Sequence, residues 1–176
     1  MSARGLIGLA SLCLGVALIG GCAGGAKSGR SGAVVEKLAT HVVAASTVNP
    51  DHDGRASPVV VRIYQLRGAS AFQKTDFFPL YEQEQATLGA ELVRRDEITL
   101  RPAESRDLPL ELDAETHFLG VAVAFRDIDQ SQWRGLVEVG EKKAGLMSKL
   151  NPFAKKERVL NISIERLAVQ AVFAEK

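Results

Sequence analysis

Short runs of β-branched and large apolar residues, separated by clusters of turn formers, recur along most of this chain and constrain its fold more than any other feature. Val59–Leu66 reads Val-Val-Val-Arg-Ile-Tyr-Gln-Leu. Strand side chains alternate between faces, so Val59, Val61 and Ile63 share one face and Val60, Arg62, Tyr64 and Leu66 the other. Ser105–Leu112 alternates cleanly, with Leu108, Leu110 and Leu112 inward and Asp107 and Glu111 outward. Phe118–Phe125 is apolar on both faces, the pattern of a central strand. His41–Val48, Trp133–Val139, Val159–Ile164 and Leu167–Phe173 continue the rhythm, and Glu91–Leu100 is a weaker instance carried by Val93, Ile98 and Leu100. About eight short strands punctuated by turns predict a mainly β fold, a two-sheet β-sandwich.

Two segments interrupt the rhythm. Ser70–Gly89 carries Phe72, Phe77, Leu80, Tyr81 and Leu88 near helical spacing, with Thr75 and Asp76 as N-cap residues and Pro79 tolerable only near a helix start. It predicts a short helical excursion packed on one end of the sandwich. Residues 142–156 mix Leu146, Met147, Leu150 and Phe153 with Lys142, Lys143, Lys149, Lys155 and Lys156, and Asn151-Pro152 stops any helix there. This segment has two readings. Its apolar residues close a core edge under solvated lysines, or the lysines touch anionic headgroups while Leu146, Met147 and Phe153 dip into the lipid.

The amino-terminal 21 residues have the three parts of a secretory signal. Arg4 supplies positive charge, Leu6–Ile19 the apolar stretch, and Gly20-Gly21 the small-residue cleavage site. The apolar run is shorter than the roughly 20 residues a spanning helix needs, and Gly8 and Gly15 interrupt it. Because Cys22 follows directly, residues 1–21 resemble a bacterial lipoprotein signal peptide. That pattern implies a diacylglycerol thioether on Cys22, cleavage before it, and an acylated first residue. Ala23 in the next position implies sorting to the outer membrane. Several acyl chains, at about 0.8 kcal/mol per buried methylene, make such an anchor effectively permanent. Residues 22–33 then form an acylated, flexible tether, in which the ten residues 23–32 have a root-mean-square span of about 16–19 Å, and residues 34–176 form the sandwich domain. Cys13 leaves with the leader and Cys22 is acylated, so stability must come from packing without a disulfide. With Arg4 gone, basic and acidic residues balance, and no global charge points to nucleic acid.

Catalytic motifs are missing from the sequence. There is no Gly-x-Ser-x-Gly elbow, no phosphate-binding glycine loop and no His-x-x-x-His pair, and His41, His52 and His117 lie far apart. Asp51-His52-Asp53 has metal-ligating chemistry, but three adjacent residues need an unusual loop to face one centre, and the cluster reads as a solvated loop. No metal, no cofactor other than the lipid on Cys22, and no enzyme activity are expected. His41 and His117 read as surface or turn residues. Trp133 reads as cover for a core edge, and Arg126 as a partner of Asp127 or Asp129. A ligand- or carbohydrate-binding lipoprotein is the alternative, for which Trp133, Tyr64 and Tyr81 are poor material for an aromatic platform.

Three stretches give the chain a family resemblance. The first is Asn49-Pro50-Asp51 followed by Ser57-Pro58-Val59-Val60-Val61-Arg62-Ile63-Tyr64-Gln65-Leu66. The second is Asp76-Phe77-Phe78-Pro79-Leu80-Tyr81. The third is Gly120-Val121-Ala122-Val123-Ala124-Phe125-Arg126-Asp127, with Trp133-Arg134 after it. Their order and spacing behind a lipoprotein signal resemble the TssJ (SciN, VasD) family of type VI secretion lipoproteins. The resemblance implies a transthyretin-like sandwich with added helices, held at the inner leaflet of the outer membrane and facing the periplasm. It implies binding to the periplasmic C-terminal region of TssM, and through TssM a link to TssL. The implied contact is the loop between the first two strands: Asn49, Pro50, Asp51, His52, Asp53, Gly54, Arg55, Ala56 and Ser57. Pro50 and Gly54 favour a tight turn, and Asp51, Asp53 and Arg55 offer steering charges. A charged rim contributes specificity more than affinity, so an apolar anchor should lie nearby.

Overall fold

The computed structural model describes residues 34–139 and 158–175. The leader, Cys22, the tether and the basic 142–156 segment lie outside these residues. Among the described residues, eight strands form two four-stranded sheets, as the alternating pattern predicts. The strands are β1 (Val34–Ala44), β2 (Val59–Leu66), β3 (Leu92–Leu100), β4 (Ser105–Asp113), β5 (Phe118–Ala124), β6 (Arg134–Glu138), β7 (Arg158–Ile164) and β8 (Val169–Glu175). One sheet has the order β4-β1-β7-β8 and the other β3-β2-β5-β6. All pairings are antiparallel except that of β1 with β7.

The first strand departs from expectation. It begins at Val34 rather than His41, and ends at Ala44 rather than Val48. Glu36 and Lys37 conceal its first half from a hydrophobicity reading, yet β4 pairs with it from Val34 onward. Past Ala44 the chain turns away, with the Ala45 N–H donating to the Ile164 carbonyl at 2.8 Å.

The inner faces interdigitate as one apolar core. Leu38 and Val42 of β1, Val59, Val61 and Ile63 of β2, Leu110 and Leu112 of β4, Leu119, Val121 and Val123 of β5, and Leu160 and Ile162 of β7 are all buried there. Gln65 also faces inward and is fully buried. Its amide donates to the Glu111 carbonyl at 2.9 Å, and its oxygen accepts from the Asp113 N–H at 3.0 Å and the Thr116 hydroxyl at 2.9 Å. Those bonds satisfy the buried amide and tie the second sheet to β4 across the sandwich.

The excursion at 70–89 is three short helices, α1 (Ser70–Lys74), α2 (Phe77–Glu82) and α3 (Glu84–Leu88), followed by a 3-10 turn at Gly89–Glu91. They cover the outer face of the β3-β2-β5-β6 sheet rather than an end of the sandwich. Phe72, Leu80 and Leu88 cluster there with Tyr64, Leu66 and Ala122, which alternation turns away from the main core. Asp76 does occupy the N-cap of α2, though without a side-chain cap bond, while Thr75 closes α1. Arg134 ties the cover down by donating to the carbonyls of Phe72 at 3.0 Å and Thr75 at 2.8 Å. Arg62 does so through the Tyr81 carbonyl at 2.6 Å, with its guanidinium 3.6 Å from the centre of the Tyr81 ring.

β1 fixes the polarity of the sandwich. The chain enters it at Val34 and leaves it for the 45–58 connection at the opposite end. Its 11 residues span about 35 Å at strand rise. The connections 101–104, 125–133 and 165–168 gather at the same far end, bonded to the 45–58 segment through Ala103, Arg126 and Arg166.

Candidate partner-binding loop

Asp51 organises the loop between β1 and β2. Its Oδ1 accepts from the Asp53 N–H at 3.0 Å and the Arg55 N–H at 2.9 Å. Its Oδ2 accepts from Arg55 Nε at 3.0 Å. The backbone closes around it. The Asp51 N–H donates to the Arg55 carbonyl at 2.8 Å, and the Gly54 N–H donates to the Asp51 carbonyl at 2.9 Å. Gly54 takes φ +80°, which glycine adopts without steric cost. The Arg55 N–H above all holds the Asp51 carboxyl below its ordinary pKa; the Arg55 side chain and the Asp53 N–H act in the same direction, against partial desolvation.

Asn49 and Ser57, at the two ends of the loop, are buried, whereas His52, Asp53, Gly54 and Arg55 are exposed and Pro50, Asp51 and Ala56 lie between. Asn49 is the staple at the base. It has φ +49°, a conformation Asn tolerates better than most residues. Its Nδ2 donates to the Pro58 carbonyl at 2.7 Å, its Oδ1 accepts from the Arg126 N–H at 2.7 Å, and its own N–H donates to the Arg166 carbonyl at 3.0 Å. Ser57 joins the frame through its N–H to the Val48 carbonyl at 3.1 Å. The surface available to another molecule is therefore 51–55, presented on a frame already satisfied internally. Sequence reading places Asn49 and Ser57 in the contact set; their burial gives them the task of holding it.

The loop does bring the ligating atoms of Asp51, His52 and Asp53 within 4.8 Å of one another. The cation serving these carboxylates is Arg55, which also reaches Asp53 Oδ2 at 3.1 Å. His41 sits inside β1 and meets Asp107 at 2.6 Å, and His117 is exposed at the turn before β5. Arg126 makes no ion pair with Asp127 or Asp129 among the described residues; at the loop its backbone N–H holds Asn49, and its charge adds a smaller pull that lowers the Asp51 pKa. Trp133 does cover a core edge, half-buried between both apolar clusters and edge-on to Phe77 at 5.2 Å. Tyr64 is fully buried and Tyr81 is stacked on Phe77, so neither supplies an open aromatic platform.

A two-sheet sandwich that gathers four of its connections at the end away from chain entry defines a loop-presenting β module, and its likeness to known proteins identifies its class. The profile of the family described as type VI secretion lipoprotein (T6SS-SciN; VasD, EvfM, TssJ) matches residues 36–166. The chain belongs to this family of type VI secretion lipoproteins. Among solved structures, the T6SS lipoprotein TssJ1 from Pseudomonas aeruginosa is 32% identical, with a TM-score of 0.67, covering 78% of this chain and 95% of that one. Serratia marcescens Lip, a membrane-bound component of the type VI secretion system, shares the fold at 22% identity and TM-score 0.70, over 78% of this chain and 98% of its own. A chain of a structure described as the T6SS protein TssM C-terminal domain from EAEC also shares it, at 23% identity and TM-score 0.56, over 78% and 98% of the two chains. No curated protein matches significantly. Among the described residues, no helix is long and apolar enough to cross a membrane.

Proposed function

We propose that this protein is a non-enzymatic adaptor, anchored by lipid on Cys22 in the inner leaflet of the outer membrane and facing the periplasm. Its 51–55 loop surface binds the periplasmic C-terminal region of TssM, an inner-membrane protein, and through it engages TssL. The observation that carries the reading is the polarity of β1: the chain enters at one end, and the preorganised loop stands at the other, about 35 Å along the strand. The 52–55 side chains are exposed at that end, where a partner in the periplasm can reach them. The internal bonds of Asp51 and Asn49 lower the ordering cost of association. Confinement to one leaflet raises effective concentration, so modest affinity suffices. Membership of the secretion-lipoprotein family and the likeness to a chain solved in connection with TssM support the choice of partner.

The test is calorimetric titration of the mature, acylated protein in detergent with the TssM periplasmic domain from the same genome. A parallel titration uses His52→Ala/Asp53→Ala/Arg55→Ala, which removes exposed side chains and leaves Asp51 and Asn49 in place. Binding by the wild type that the folded triple variant loses is the expected result. Absence of wild-type binding refutes the adaptor role.

A further inference from the structure

The 51–55 surface is polar, and a polar rim alone rarely supplies strong affinity. We propose that Phe78 is the apolar anchor of the same interface, seating in an apolar pocket of the partner's periplasmic domain. The inference rests on the adaptor reading above. Phe78 is 57% exposed, one of two large hydrophobic side chains so exposed among the described residues. No packing need explains it. Phe77 and Leu80 already face the sheet at helical spacing and are buried, while Phe78 and Pro79 point outward.

The ring is also braced on one side. It meets Phe77 edge-on at 5.5 Å; Phe77 in turn stacks on Tyr81 at 5.1 Å and abuts Trp133 at 5.2 Å. An aromatic side chain has few rotatable bonds to order on binding and presents a large apolar area, and such residues are common interface anchors.

Its position joins it to the loop. Asn49 holds Arg126 at the start of the 125–133 connection, and that connection ends at Trp133, against which Phe77 packs. In sheet order the path crosses from β2 through β5 to β6, about two strand spacings of 4.7 Å. A standard patch of about 800 Å² per partner is wide enough to take in both ends of this path, and Phe78 and 51–55 are assigned to one such patch. The other exposed large hydrophobic, Val172, lies on β8 in the opposite sheet and serves as the control.

The experiment titrates mature acylated wild type, Phe78→Ala, Phe78→Gln and Val172→Ala against the TssM periplasmic domain, with thermal unfolding of each. Both Phe78 variants are expected to weaken binding about tenfold or more with unchanged unfolding midpoints, and Val172→Ala to bind as the wild type does. Wild-type affinity in both Phe78 variants, while the loop triple variant loses binding, overturns the anchor and spares the adaptor. Absence of binding by the wild type overturns both.

Discussion

Gly120 is the position where a single methyl group most directly tests the packing of the helical cover. It sits in the middle of β5, on the face turned toward the helices. A Cβ built there lies 2.8 Å from Cε2 and Cζ of Phe72 and 3.0 Å from Cε1. Carbon contacts relax at about 3.5–4.0 Å, so the ring must retreat by about 0.7 Å or more. Phe72 is fully buried and leans on Tyr64, with ring centroids 5.7 Å apart. It therefore has little space to yield. Overpacking of this kind costs about 1–3 kcal/mol, and the lower chain entropy of alanine in the unfolded state returns about 0.4–1 kcal/mol. Gly120→Ala should destabilise by about 1–2 kcal/mol, lowering the unfolding midpoint by about 3–7 °C in a domain of this size. The assay is urea unfolding followed by the fluorescence of Trp133, the sole tryptophan. Phe72→Ala alone should cost about 3–5 kcal/mol. In that background the clash is gone, and Gly120→Ala should be neutral or stabilising. The two substitutions would then couple by about 1–3 kcal/mol in a double-mutant cycle. A Gly120→Ala variant as stable as the wild type, or one equally damaging in both backgrounds, refutes the reasoning.

Two further predictions concern the loop. Asn49→Ala removes two side-chain bonds, leaves the Arg126 N–H and Pro58 carbonyl without that partner, and strains a positive φ; it should cost about 2–3 kcal/mol, while Asn49→Gly, which relieves the strain, should cost less, and equal midpoints for the two in thermal unfolding would contradict this. The Asp51 carboxyl is held below its ordinary pKa, so its stabilising effect is complete above the unfolded-state value and is lost as pH falls through the lower folded-state value. Amide exchange at Asp53 and Arg55 should accordingly gain an acid-dependent component in the wild type that Asp51→Asn lacks, and identical pH profiles would refute the role of the carboxylate.

The strand elements were legible because their signal is local. The period-two pattern of Val59–Leu66 and Ser105–Leu112 marked strands that the structure begins at the same residues. Phe118–Phe125 announced a strand covered on both sides, and β5 is such a strand, between the main core and the helices. β1 was misplaced because Glu36 and Lys37 break the apolar run, and its extent is set by pairing with β4, more than sixty residues away in sequence. The helical excursion was legible as apolar spacing around Pro79. Its breaks and its seat on the sheet face depend on Arg62, Arg134 and the space above Gly120, which are long-range contacts. In the loop, Pro50 and Gly54 signalled a turn, but the burial of Asn49 and Ser57 was invisible. Asn49 is held by backbone groups of Arg126 and Arg166, and backbone hydrogen bonding leaves no mark in side-chain chemistry.

By itself the sequence determined the fold class and the family, since alternation, turn residues and the order of short motifs are written residue by residue. Only the tertiary structure decided which residues of the 49–57 loop face solvent, that Asp51 and Arg55 satisfy one another, and that Phe78 is left exposed while Phe77 and Leu80 are buried. The physical reason is that exposure and proximity are set by how strands distant in sequence pair and how the two sheets pack. Alternation decides which side of a strand a residue takes; the assembled sandwich decides what lies on that side.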